Sequence, residues 1–149
     1  MPDLDLAALE ADPKVIWTED VLRFGDTDLN GHVNNAVFAT MAESGRVNLF
    51  RKTFGIWASA QRDTYFVIVK LAIEFRSELH YPGRVRTGTW VTRLGRSSIG
   101  LAQAICGDRQ VAATAEAVCV LMSAAERRPT PFPPDMREAA EELLRPEPG

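Results

Sequence analysis

Phe24-Gly25-Asp26-Thr27-Asp28-Leu29-Asn30-Gly31-His32-Val33-Asn34-Asn35 is the densest polar stretch of this chain. Its last ten positions hold two carboxylates, three side-chain amides and a histidine. Upstream, residues 14–24 set Val15, Trp17, Val21 and Arg23 against Ile16, Leu22 and Phe24, and this alternation predicts a strand. Downstream, Val37, Phe38, Met41, Ala42, Gly45, Leu49 and Phe50 recur at spacings of three and four, which predicts a helix over residues 34–53. Ala36, Ala39 and Val47 widen its apolar stripe, so the helix is expected to be enclosed by other elements. Ala39, Ala42 and Gly45 form a small-residue face against which a backbone can pack closely. The polar stretch is therefore a strand-to-helix junction. There backbone N–H groups point outward and the helix dipole favours negative charge, which suits a carbonyl to be polarised and a water to be activated.

The remaining elements follow from pattern. Residues 64–77 alternate, with Val67, Val69, Leu71, Ile73 and Phe75 expected on one face and Lys70, Glu74 and Arg76 on the other. Tyr81-Pro82-Gly83 is a turn signal. Strands are expected at 84–94, 97–106 and 111–122, joined at Gly95-Arg96 and at Gly107-Asp108-Arg109-Gln110. A proline-rich tether over 128–134 leads to a short helix at 135–144, with Asp135 expected as N-cap and Glu138 as its capping-box partner. The order is strand, long helix, then four strands. Sequential hairpins make an antiparallel sheet, and one long helix must cover it. The fold class is α+β, with about five strands wrapped around a central helix. The domain is expected over 14–145, preceded by an acidic extension, 1–13, that forms a short loose helix or no regular structure.

A length of 149 residues suffices for one domain with a real core. The net charge of −3 argues against nucleic acid as the main partner. No apolar run approaches the ~18 residues of a membrane span, and the acidic N-terminus reads as no signal peptide. Cys106 and Cys119 lie in apolar alternating stretches and read as buried small hydrophobes. A cytoplasmic, reducing setting is expected.

The order of elements and the run Asp28-Leu29-Asn30-Gly31-His32-Val33-Asn34-Asn35 resemble the hotdog-fold thioesterases. They are nearest the 4-hydroxybenzoyl-CoA thioesterase-like branch of the acyl-CoA thioesterases. The Asp-x-Asn-x-His-Val-Asn-Asn core is also similar to that of the plant acyl-ACP thioesterases. The resemblance extends to Glu43 and Arg46, to Gly95-Arg96-Ser97-Ser98, and to the Arg128-Pro129 and Pro131-Phe132-Pro133 ending, and so covers most of residues 15–138. It implies hydrolysis of an acyl-CoA or acyl-ACP thioester by a homodimer or homotetramer, with no cofactor.

Two readings stand for each residue of the run. Asp28 is a turn former that satisfies its own backbone, or, as the resemblance implies, the general base or nucleophile of thioester cleavage. His32 ties the loop down, or it orients water. The acyl-ACP-type pattern gives it and Asn30 a role, whereas the 4-hydroxybenzoyl-CoA-type branch lacks this histidine. Asn34 reads as the helix N-cap, and also stands among the substrate-binding candidates. Asn35 is implicated through its backbone, whose N–H the resemblance aims at the thioester oxygen as an oxyanion hole. Phe38, Met41 and Ala42 are core residues, or they line an apolar acyl tunnel along the helix. Arg93, Arg96, Arg127 and Arg128 are candidates for coenzyme A phosphates, and Ser98 is a lesser one. Glu43, on a mostly apolar helix, is expected to be buried and paired with Arg46 at i+3. His80 reads as a loop residue.

Asp26-x-Asp28-x-Asn30-Gly31 copies the opening of a calcium loop, but the twelfth position, which needs a bidentate glutamate, is Val37. No Cys/His cluster has zinc spacing, so no metal is expected. A non-catalytic acyl-CoA or acyl-ACP binding protein is the alternative function, and an enoyl thioester hydratase a more distant one.

Overall fold

The chain enters its sheet through β1, Ile16–Val21, and then makes a single 3-10 turn at Phe24–Asp26 before the long helix α2, Asn35–Phe54. Strands β2 (Thr64–Phe75), β3 (Arg84–Leu94), β4 (Ser98–Cys106) and β5 (Val111–Ser123) follow, and α3, Pro134–Glu142, ends the fold. A short helix α1, Leu6–Ala11, precedes β1. This computed structural model describes residues 3–55 and 63–145. The strands form one antiparallel sheet in the order β1-β3-β4-β5-β2, packed on α2 as the expected hotdog architecture requires.

Two apolar clusters fill the space between α2 and the sheet. Phe38, Met41 and Ala42 pack with Leu22, Val33, Leu79, Val85 and Ile105 near the helix N-terminus. Leu49 and Phe50 pack with Val91, Ile99, Leu121 and Phe132 near its C-terminus. Between them the helix approaches the sheet so closely that a Cβ on Gly45 would stand 2.8 Å from Gln103 Nε2 and from Thr89 Oγ1. The small-residue face read from the sequence is used here. Gln103 is fully buried and fully engaged: its Nε2 donates to Ala42 O (2.8 Å) and Thr89 Oγ1 (3.0 Å), and its Oε1 accepts from Arg46 Nη1 (3.3 Å).

Several expectations are corrected in detail. Strand β2 does not alternate without interruption. A bulge at Val69, between the Ile68↔Cys119 and Lys70↔Val118 pairs, inserts one residue, and an inserted residue exchanges the two faces. Phe66 before the bulge and Ile73 after it therefore both pack inward, while Val67 falls on the other face. β2 is also an edge strand, and Ile68 and Val69 are 46 % and 61 % exposed. Glu43 is exposed and Arg46 is the buried member of that pair, at 6 % exposure; its hydrogen bond goes to Gln103, because the helix turns position 46 toward the polar seam of the sheet. Asp135 is not a cap: Pro134 is the first helical residue and Pro133 precedes it without a side-chain cap, as suits proline's fixed φ. The N-terminal segment forms α1, capped by Asp5. Its Leu9 is buried against Val15, Trp90, Ala102, Ala104 and Cys106, so the chain itself covers part of the sheet's outer face. The two cysteines are free and buried on opposite faces of the sheet. Burial pushes the Cys106 thiol up to about 11 and raises that of Cys119, in keeping with their reading as small hydrophobes.

Candidate active site

The polar stretch folds as a tight loop between β1 and α2. Asp28 N–H donates to His32 O (2.9 Å) and Gly31 N–H to Asp28 O (3.1 Å). Gly31 takes a left-handed φ of 75°, which a glycine adopts without steric cost. Asp26 anchors the loop from below. It is buried, accepts from the Arg23 backbone N–H (2.8 Å) and guanidinium (3.1 Å), and offers its carbonyl to Asn34 N–H (2.8 Å). The Arg23 backbone N–H, aided by the guanidinium, holds its carboxyl below the usual carboxylate range against the opposing effect of burial. Val33 N–H donates to Leu79 O (2.8 Å) and lashes the loop to the segment between β2 and β3.

Asp28 and the helix N-terminus face one cavity of about 320 Å³, lined by Asp28, Asn30, His32, Val33, Asn35, Phe38 and the 75–78 segment. The Asp28 carboxylate is held through one oxygen: Oδ1 accepts from Asn30 N–H (2.9 Å) and His32 N–H (3.4 Å). Its Oδ2 has no partner among the described residues. Asn34 caps α2, its Oδ1 accepting from Ala36 N–H (2.9 Å). The Asn35 N–H, one residue into the helix, has no acceptor among the described residues. A fixed carboxylate with a free oxygen and an unpaired N–H at the positive end of a 20-residue helix thus border the same space. Such a pair can deprotonate or replace a water and can hold an oxyanion.

Of the sequence candidates, Asp28, Asn30, His32, Asn35 and Phe38 come together here. Met41 and Ala42 do not line the cavity: both are buried in the core beneath the helix, and Ala42 offers its carbonyl to Gln103. A second hollow of about 420 Å³, further along α2 and β2, is lined instead by Ala39, Thr40, Glu43, Arg46 and residues 68–71. Its wall is partly charged where the sequence reading expected an apolar tunnel. Arg93, Arg96, Ser98, Arg127 and Arg128 lie elsewhere in the chain. Hairpin connectivity puts the β3–β4 turn and the end of β5 on one side of the sheet, with Ser123 opposite Thr64. The cavity is at the other side, beside Phe75, roughly 35 Å from Thr64 along the same strand, while Arg93, level with Lys70 through Gly100 and Val118, stands nearer the middle of the sheet. Arg128 is engaged by Glu126 (3.0 Å).

The residues that the sequence reading missed come from the end of β2 and the β2–β3 connection. Phe75 meets Phe38 edge-on at 5.2 Å, and Arg76, Ser77 and Glu78 complete the wall. Arg76 pairs with Asp3 (2.7 Å) and Glu74 (3.7 Å). Glu78 stands between both histidines, its Oε2 3.1 Å from His32 Nε2 and 3.5 Å from His80 Nε2. His80, expected as a plain loop residue, thus adjoins the site. No spacing in the sequence could reveal this, since 45 intervening positions separate His32 from Glu78.

A structure of a predicted thioesterase from Bacillus stearothermophilus superposes with a TM-score of 0.83 at 27 % identity, over 91 % of this chain and 99 % of that one. A thioesterase from Thermus thermophilus, solved with coenzyme A and Zn, gives 0.78 at 29 % identity, over 89 % and 96 %. A DHNA-CoA thioesterase from Staphylococcus aureus gives 0.77 at 20 % identity, over 87 % and 90 %, a likeness of fold. Comparison with curated proteins finds no match. The model of one family spans residues 22–140, from the end of β1 into α3, and so takes in the loop, the helix and every strand but the first. By that match the chain belongs to the thioesterase-like superfamily.

Proposed function

We propose that this protein hydrolyses acyl thioesters of coenzyme A, with Asp28 as the reactive carboxylate and the Asn35 N–H as oxyanion donor. The observation that carries the reading is the pairing of a free Asp28 Oδ2 with an unpaired helix-terminal N–H on one cavity. In the general-base route, Asp28 takes a proton from water as the water oxygen attacks the thioester carbon. The negative oxygen that develops is met by the Asn35 N–H and the helix dipole. Collapse then expels the thiolate, which recovers a proton. In the covalent route, Asp28 itself attacks, the thiolate leaves, and water opens the resulting anhydride. Both routes end in free acid and thiol. The coenzyme A held by the Thermus relative supports this carrier.

The acyl group lies along α2, from Phe38 and Phe75 toward Ala39 and Thr40. The exposed apolar edge of β2 is the place where a second copy of the chain pairs its sheet, since unpaired edges of this kind invite another strand. A stable monomer at micromolar concentration in sedimentation would sink that part.

The test is thiol release from a panel of aliphatic and aryl thioesters of coenzyme A and acyl carrier protein, with wild type and Asp28→Asn. Turnover of coenzyme A thioesters that collapses in the variant supports the reading. Tight substrate binding without turnover on any member replaces it with the non-catalytic binder.

A further inference from the structure

We propose that His32, Glu78 and His80 form a binding site for a zinc-type divalent cation. The three bring one ligand atom each to within 4.8 Å of one another. They include both histidines of the 149-residue chain, drawn from two separate loops. The two spacings to Glu78 suit a tetrahedral ion, and the third lies within 4.8 Å. Metal–ligand bonds of about 2.0–2.1 Å place neighbouring ligand atoms about 3.3–3.4 Å apart. Glu78 Oε2 lies 3.1 Å from His32 Nε2 and 3.5 Å from His80 Nε2.

The outer contact of the His80 ring fits such a site. His80 Nδ1 is 3.4 Å from Gly31 O. A carbonyl only accepts, so a proton sits on Nδ1, and Nε2, beside the Glu78 carboxylate, is the ring atom that would meet the ion. A ring N–H donated to a backbone carbonyl is also the usual outer support of a metal-bound histidine. The backbone holds the set in place. Leu79 is buried in the core between Glu78 and His80, and its carbonyl accepts from Val33 N–H, next to His32. Two imidazoles and one carboxylate, with a position left open, match borderline ions such as zinc rather than calcium or magnesium, which want more oxygen ligands. His32 and Glu78 also line the Asp28 cavity, so the ion would stand at its wall. The proposal does not depend on the hydrolytic reading.

The experiment is calorimetric titration of zinc chloride into chelator-treated, dialysed protein, with magnesium chloride as the control. Wild type, Glu78→Gln and His80→Ala are compared, each checked for native circular dichroism. Both positions are exposed, so both variants should fold. We expect one zinc per chain, little heat from magnesium, and at least about a tenfold loss of zinc affinity in each variant. A zinc-induced rise in melting temperature should be present in wild type and lost in both. No zinc binding by wild type up to millimolar concentration overturns the proposal, as does an affinity unchanged in either variant.

Discussion

The two ends of α2 are built on opposite plans. At the C-terminal end, Phe50 stacks on Phe66 at 4.2 Å and on Phe54 at 6.0 Å, with Phe132 beyond at 6.1 Å from Phe66. That end is closed with carbon. At the N-terminal end the loop is tied by its own backbone, and what remains, Asp28 Oδ2 and the Asn35 N–H, has no partner among the described residues. One end serves stability, and the other leaves polar groups free in a space that a substrate can fill. In the middle the Gly45–Gln103–Arg46 seam separates the two.

The contrast is broken most sharply by a paired experiment. Asp28→Asn keeps the shape and the Oδ1 contacts, so melting should be nearly unchanged. kcat should fall by roughly 10²–10⁴, the worth of a positioned acid–base group. Phe50→Ala should do the reverse, costing about 3–5 kcal/mol of stability as a core truncation, with the activity of the remaining folded fraction kept. Near-normal turnover of the first variant, or an inactive but stable second one, would erase the division between the ends.

A smaller effect tests the seam. Gln103→Leu removes the acceptor that the buried Arg46 guanidinium uses and should cost about 2–3 kcal/mol in chemical denaturation. Burial already holds the Arg46 guanidinium pKa below its usual value, which makes a lost partner more costly. Smaller again, Asn34→Ala removes the cap of α2 and should cost about 1 kcal/mol. It should lower activity only as far as the helix end frays. The mildest prediction concerns pH. The folded pKa of Asp26 is depressed, so its stabilisation is present at neutral pH and is lost as pH falls through and below the ordinary carboxylate range. Asp26→Asn should therefore flatten the acid limb of the stability curve, and an unchanged limb would assign acid sensitivity elsewhere.

The bounds of α2, its Asn34 cap and the succession of five strands are legible in the sequence because each rests on local signals: period, capping chemistry and turn residues. The polar loop is legible for the same reason, its polar groups being consecutive. What depends on neighbours is not legible. The bulge at Val69 reverses the faces of β2, although the residues on either side alternate well enough to hide it. Glu43 and Arg46 exchange burial because a helix apolar around much of its circumference does not declare which charged position turns to the sheet. Met41 and Ala42 fit a tunnel wall by sequence and are core, while Ala39 and Thr40, on the adjoining stripe, face the hollow.

The sequence by itself determined the kinds of element, their order and the concentration of chemistry between residues 26 and 35. These follow from interactions within a few residues. Only the tertiary structure decided which end of the sheet holds the cavity. It also decided that Arg93, Arg96, Arg127 and Arg128 lie away from it, and that Phe75, Arg76, Glu78 and His80 stand against the loop. Those facts depend on strand register and on which hairpin turns share an end. Register is set by packing across the whole sheet, at separations over which sequence spacing carries no signal.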